Sequence, residues 1–360
     1  MKCKYGGCEE EVFEDLDVCV LHMELPRDEM SDEFKKINDL KNKKMQDRIK
    51  NDDINFKGVK IYQADFKGMK TEKDLVLTDS IIKKDLNCDN SEINGDLWAD
   101  NIKIDENISF EFSTVSGSVS FFKAKVKGNV FFDNSKIGEY AWFQEAEING
   151  ESSFNNTNIG GSVSFKDAII NENVSFYGAK IGGNAWFDNA VIGGKTWFDL
   201  SRIEGGLSFI KTKFKDLKGQ ERACRVAKII WEKLGDREKA DYHFYHEMAA
   251  KRRQKQFYIK YPELIVQYPF GYGVRPSRLL FSFISIFLLF ALLYWYLEGI
   301  FSVNSLLETL RFSFLTMIIP AYGVIKSQSG VFGIISILEA VIGAFTWPTF
   351  IVTFARKYMR

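Results

Sequence analysis

Between residues 66 and 214 apolar positions recur every eleven residues. Phenylalanine holds one frame without a gap, at 110, 121, 132, 143, 154, 165, 176, 187, 198 and 209, and Phe66, Leu77, Cys88 and Ala99 carry the frame backward. A branched residue follows five positions later, as in Val115, Ile137, Ile159 and Ile181, and a small one three positions later, as in Ser113, Ala124, Ser135 and Ala146. Glycine often stands seven positions later, as in Gly128, Gly150, Gly161, Gly183, Gly194 and Gly205. An amphipathic helix repeats near 3.6 residues and a half-buried strand at two, so neither explains the spacing. A short fixed period with one large, one branched and one small inward position predicts a coiled β-solenoid over 53–216. Coils stacked about 4.8 Å apart would share backbone hydrogen bonds, and only stacking buries their side chains.

Beyond Phe214 the pattern changes to helical spacing. Residues 217–260 read as a helical hairpin, with Ala223, Ala227, Ile230 and Leu234 on one face of its first helix and Tyr242, Tyr245 and Met248 on its second. Such a hairpin would cap the open end of the solenoid. His243 and His246 lie three apart without a third ligand nearby, which favours packing or surface roles over metal binding. A basic run, Lys251–Lys255, precedes an aromatic, amphipathic stretch that predicts an interfacial segment over 261–278, and anionic lipid would attract the run.

Residues 279–297 are apolar throughout, and 331–354 are interrupted only by Glu339. Both are long enough to cross a bilayer. Arg252, Arg253, Arg275 and Arg278 precede the first, and Arg356, Lys357 and Arg360 follow the second. The positive-inside rule then places both termini in the cytoplasm of a multi-pass protein of the cell membrane. Residues 303–318 predict an apolar-faced helix too short to cross, and the chain after it, 319–324, is expected to be non-helical and to return outward.

Charge excludes one class of partner. Lysine plus arginine equals aspartate plus glutamate, 48 each, so no basic excess points to nucleic acid. The start lacks an apolar stretch behind its lysines and does not read as a secretory signal, so the N-terminal part is expected in the reducing cytoplasm. There, Cys3, Cys8, Cys19 and His22 have the soft donors and close spacing of a structural zinc knuckle over 1–26. Unpaired cysteines beside a chance histidine are the plainer alternative. Four protein ligands would leave no open position, so the metal would hold the fold. Residues 27–52, highly charged, read as an exposed helix or linker. No nucleophile–base pair or phosphate loop occurs, and no catalytic residue or enzyme activity is expected.

The repeat, in segments such as VSFYGAKIGGNAWFDNAVIGG, resembles the pentapeptide-repeat family and its F-x-x-A-x-I variants. That resemblance implies a right-handed quadrilateral β-helix, two elevens per four-sided coil. Residues 219–360, with ACRVAKIIWEKLGDREKADYHFYHEM, GYGVRP and VTFARKYMR, resemble pentapeptide-repeat ion channels, and the pore half (279–360) resembles two-span potassium channels. The likeness implies a selectivity filter at Ile319, Pro320, Ala321, Tyr322, Gly323 and Val324, entered by the short helix 303–318. GYGVRP itself reads as a tight turn into the first span. The filter departs from the family pattern. Isoleucine lacks a threonine hydroxyl, proline fixes φ and lacks an N–H, and alanine resists the positive φ that glycine accepts. A monovalent cation, K⁺ or Na⁺, would pass. Glu339 at membrane depth is expected to brace the short helix. Gly343 and Pro348 are either bending points or ordinary packing.

The fold expected is thus mixed: zinc knuckle, right-handed β-helix, helical hairpin and α-helical two-span pore domain with a re-entrant loop. The function expected is a homotetrameric cation channel in a lipid bilayer, with a cytoplasmic β-helix that regulates gating. The alternative is a membrane-anchored, non-conducting scaffold or sensor whose β-helix binds a cytosolic protein or ligand.

Overall fold

Each eleven-residue repeat is half a coil. The computed structural model describes residues 1–6, 8–298, 306–326 and 330–358. Within them the chain divides into two compact units, Met1–Ala250 and Lys251–Arg360.

The first unit is a four-sided solenoid. Two-residue strands from Lys60–Ile61 to Lys213–Phe214 form four parallel sheets of eight, seven, seven and seven strands. Each strand pairs with the fourth strand before and after it, as Lys125↔Glu147 and Val126↔Ile148. Two elevens therefore close one coil, as the resemblance to pentapeptide repeats implies. One residue of each strand points inward to the shaft and its neighbour outward. The phenylalanines stand at two corners. Phe132 stacks on Phe154 one coil on, with centroids 5.2 Å apart and planes 4° from parallel. It meets Phe143 of the opposite column edge-on at 85°.

The corners work by a conformation that the repeat pattern does not spell out. Residue Phe+3 donates its N–H to the phenylalanine carbonyl, as Ala124 to Phe121 at 3.1 Å. Residue Phe+2 has positive φ at each turn from Asp79 to Lys211, including Asn134 (57°) and Phe112 (56°). These are type II turns, which need a left-handed third residue. Asparagine, aspartate or glycine fills many of these positions, as at Asp79, Asn90, Asn101, Asn156 and Gly178, while Phe112 and Leu200 adopt the conformation without that chemistry. Where Phe+3 is serine, its hydroxyl also donates to the phenylalanine carbonyl, as Ser113 to Phe110 at 2.6 Å.

Helix α1 (Asp32–Lys50) starts at Ser31, whose hydroxyl accepts the Phe34 N–H. It is not the fully exposed helix or linker that its charge suggests, because Phe34, Ile37, Lys41 and Met45 are buried. At the other end, α2 (Leu217–Lys233) and α3 (Arg237–Arg253) form the hairpin. It satisfies edge groups of the last coils. Trp231 donates its indole N–H to the Leu207 carbonyl at 2.6 Å, and His243 Nε2 accepts the Phe209 N–H at 3.0 Å. The hairpin thus removes an open β-edge.

The second unit begins with two single-turn helices, α4 (Phe257–Lys260) and α5 (Leu264–Gln267). Gly271–Gly273 is a tight turn with φ of 54°, 55° and 75°, and Pro276 then opens α6 (Pro276–Glu298). Next come α7 (Leu306–Ile318), α8 (Pro320–Lys326) and α9 (Val331–Tyr358), which runs through Pro348. Residues 303–305 of the expected short helix, the side chains of Val324 and Lys326, and Arg360 lie outside the described residues.

Candidate functional site

The first candidate is the cluster Cys3, Cys8, Cys19 and His22, whose ligand atoms all lie within 4.8 Å of one another. The local chain holds them there. Cys3 N–H bonds to the Glu10 carbonyl at 2.8 Å, while the Cys19 N–H donates to Cys3 Sγ at 3.2 Å and the His22 N–H to the Cys19 carbonyl at 3.1 Å. Between ligand atoms the separations are 3.4 Å (Cys3 Sγ–His22 Nδ1), 3.8 Å (Cys8 Sγ–Cys19 Sγ) and 3.1 Å (Cys19 Sγ–His22 Nδ1). A tetrahedral ion with metal–sulfur bonds of about 2.3 Å sets its sulfurs about 3.8 Å apart, so the cluster could hold one. His22 Nε2 lies 2.9 Å from the Lys57 carbonyl and donates to it, which leaves Nδ1 bare and aimed at the sulfurs. That outer bond is the kind that orients a metal-binding imidazole. Burial and the neighbouring thiols push the Cys8 thiol up to about 12 in the metal-free cluster, so taking up a cation must expel a proton there.

The cluster is joined to the first coil. The Leu21 carbonyl accepts the Lys60 N–H at 2.8 Å. Lys41 is fully buried, and its ammonium donates to the Met23 and Lys60 carbonyls at 2.7 Å each. Burial pushes that amine down to about 7. Lys41 escaped the sequence reading because it sits in a charged run that looks solvated; its spacing with Phe34, Ile37 and Met45 was the available signal.

The second candidate is the core of the helical unit. Glu339 of α9 is fully buried and accepts from Tyr294 of α6 at 2.7 Å and from Ser313 of α7. Ser313 also lies 3.0 Å from the Phe287 carbonyl. Gly343 lets α9 approach α7 closely, since a Cβ there would sit 2.4 Å from the Met317 carbonyl. Ser313 and Tyr294, like Lys41, were not singled out from sequence; hydroxyls within apolar runs were the only hint.

One expectation is corrected here. The main chain of 320–326 is helical, where the sequence predicts a non-helical return over 319–324. Proline suits the first position of a helix, because its φ is already helical and its missing N–H would have no partner there. Alanine extends the turn readily. The segment folds back on α7, with Phe312 and Tyr322 rings 5.9 Å apart and Gly323 packed on Thr316. Ile319 forms the bend between α7 and α8, Pro320 opens α8, and Ala321, Tyr322, Gly323 and the Val324 main chain lie within it.

Two helices, Pro276–Leu297 and Val331–Ala355, are long and apolar enough to cross a membrane. Within the apolar eighteen-residue stretch of each, only 22% and 28% is buried, which is little for core helices of a water-soluble domain.

Compared with known families, residues 132–180 and 143–191 match pentapeptide repeats (9 copies). No curated protein and no solved structure matches the chain significantly. What the sequence spacing, the four-sheet coil and that match agree on is that the solenoid of the first unit is built of pentapeptide repeats.

Proposed function

We propose that this chain is a subunit of a homotetrameric cation channel in the cell membrane, with zinc closing its N-terminal knuckle and the solenoid as a cytoplasmic regulatory domain. The observation that supports it most is the short helix α7, tied by Ser313 and Glu339 between two candidate spans. A helix of 13 residues cannot cross a bilayer, and its place between two that can is the arrangement of a pore unit. One copy offers one wall of a pathway, so four are required.

The helical state of Pro320–Lys326 shapes the reading of selectivity. Helical carbonyls run along the axis toward their own N–H groups and cannot form stacked rings around an ion. The pathway is therefore a weakly discriminating one for K⁺ and Na⁺. Arg275 and Arg278 before the first apolar run, and Arg356, Lys357 and Arg360 after the second, favour a cytoplasmic position for both termini. The four donors gathered among the described residues, Cys3, Cys8, Cys19 and His22, favour a closed structural zinc site.

Purified protein in liposomes is expected to pass both K⁺ and Na⁺ and to run as a tetramer by native mass spectrometry. The same helical segment favours a second reading, a non-conducting membrane scaffold whose solenoid binds a cytosolic protein. Zero flux of either ion from a verified tetramer would select it.

A further inference from the structure

One ligand of the cysteine cluster differs from the rest. Cys3, Cys19 and His22 are buried, whereas Cys8 is half-buried and lines an open cleft of about 620 Å³ with Tyr5, Glu10, Arg48 and Lys57. Cys8 Sγ stands 3.8 Å from Cys19 Sγ. The remaining cysteines, Cys88 and Cys224, are buried away from the cluster. Through His22 and Leu21 the cluster is hydrogen-bonded to Lys57 and Lys60 of the first coil.

We propose that the cluster is a peroxide-sensitive switch, in which Cys8 meets the oxidant, Cys19 resolves it, and the disulfide that forms expels the metal and loosens the cap on the first coil. The inference rests on the metal reading above. The Cys8 thiolate attacks one peroxide oxygen, the O–O bond breaks, and the departing hydroxide takes a proton to become water. The Cys19 thiolate then attacks the Cys8 sulfenic sulfur, the S–O bond breaks, and a second hydroxide leaves and is protonated. Two thiolates, one hydrogen peroxide and two protons become one disulfide and two waters. Both electrons come from sulfur, because zinc has no redox chemistry of its own. A metal stripped of two ligands out of four is no longer held, and His22 loses the partner that fixes its ring against Lys57.

The test uses the full-length, zinc-loaded protein in detergent, treated with hydrogen peroxide. Zinc release is read with a chromogenic chelator, disulfides by peptide mass spectrometry, and the Lys60 amide by hydrogen exchange. The expected result is one zinc released per chain with a Cys8–Cys19 disulfide, faster exchange at Lys60, and reduced Cys88 and Cys224. Cys8→His keeps four ligands and is expected to retain zinc at the dose that empties the parent. Zinc retained by the parent, a Cys3–Cys19 disulfide instead, or release with unchanged Lys60 exchange would each overturn the switch. A protein that binds no zinc even after loading would sink the metal reading itself, and the switch with it.

Discussion

Tyr5 lies face to face on the His22 imidazole, with ring centroids 4.2 Å apart and planes 12° from parallel. The contact exists because Gly58 leaves room for it. A Cβ on Gly58 would sit 1.9 Å from Tyr5 Cζ, and its φ of +72° already disfavours a side chain. Gly58→Ala is therefore expected to displace Tyr5 and to lower stability by about 1–3 kcal/mol. Thermal unfolding of the zinc-loaded protein checks the stability, and chelator competition is expected to show weaker zinc retention. Unchanged values on both would mean that the stack contributes nothing to the cluster.

The left-handed corner residues offer a gain of stability. Leu200 has a φ of 58° and is 77% exposed, so its side chain contributes little there. Asparagine tolerates that conformation better than leucine. Leu200→Asn is expected to stabilise the solenoid by about 0.5–1 kcal/mol. Slower hydrogen exchange in the flanking coil and a higher melting temperature are the readouts. The reverse change at another corner, Asn134→Leu, should cost a similar amount.

His243 carries a pH dependence. Its Nδ1–H donates to the Lys239 carbonyl at 2.7 Å and its Nε2 accepts the Phe209 N–H, so the ring is held neutral. Burial lowers its pKa below the ordinary value, and the bond to the Lys239 carbonyl and the nearby Asp188 oppose this only in part. The unfolded chain then binds the proton more readily than the folded one. Its contribution is fully present above the unfolded pKa of about 6.5 and is lost as pH falls from there toward the lower folded value. Urea unfolding at pH 7.5 and pH 5.5 should show weaker capping in acid, and His243→Gln should flatten this difference. An equal pH response in the variant would assign it to other groups.

Gly343 and Met317 set the spacing of α7 and α9. Replacing Gly343 by valine puts a branched side chain where even a Cβ would lie 2.4 Å from the Met317 carbonyl. The helices must separate, and the Glu339 bond to Ser313 would stretch. Gly343→Val is expected to lower the detergent melting temperature and to abolish ion flux. Gly343→Ala should do the same more weakly. Full flux with valine would contradict the packing argument.

Much of this molecule was legible in its residues. The phenylalanine frame at 110–209 gave the coil, because the branched position five residues on would fall on the far side of a helix and the recurrent glycines disfavour one. The donors Cys3, Cys8, Cys19 and His22 were legible by type and spacing, and folding does bring them within 4.8 Å. Glu339 stood out because an isolated acid in an apolar run must find partners. Those partners, Ser313 and Tyr294, could not be named, since each comes from a different helix. Lys41 was hidden because burial depends on what α1 lies against, not on its own composition.

The sequence by itself determined the eleven-residue repeat, the clustered cysteine and histidine side chains and the two apolar runs, because each is written in local spacing that one chain segment contains. Tertiary structure alone decided that Phe112 and Leu200 turn left-handed, since stacked coils impose the corner whatever residue occupies it. It also decided that Pro320–Lys326 is a helix folded on α7: the motif's likeness to a filter competes with proline's preference for a helix start, and packing against Phe312 and Thr316 resolves that competition.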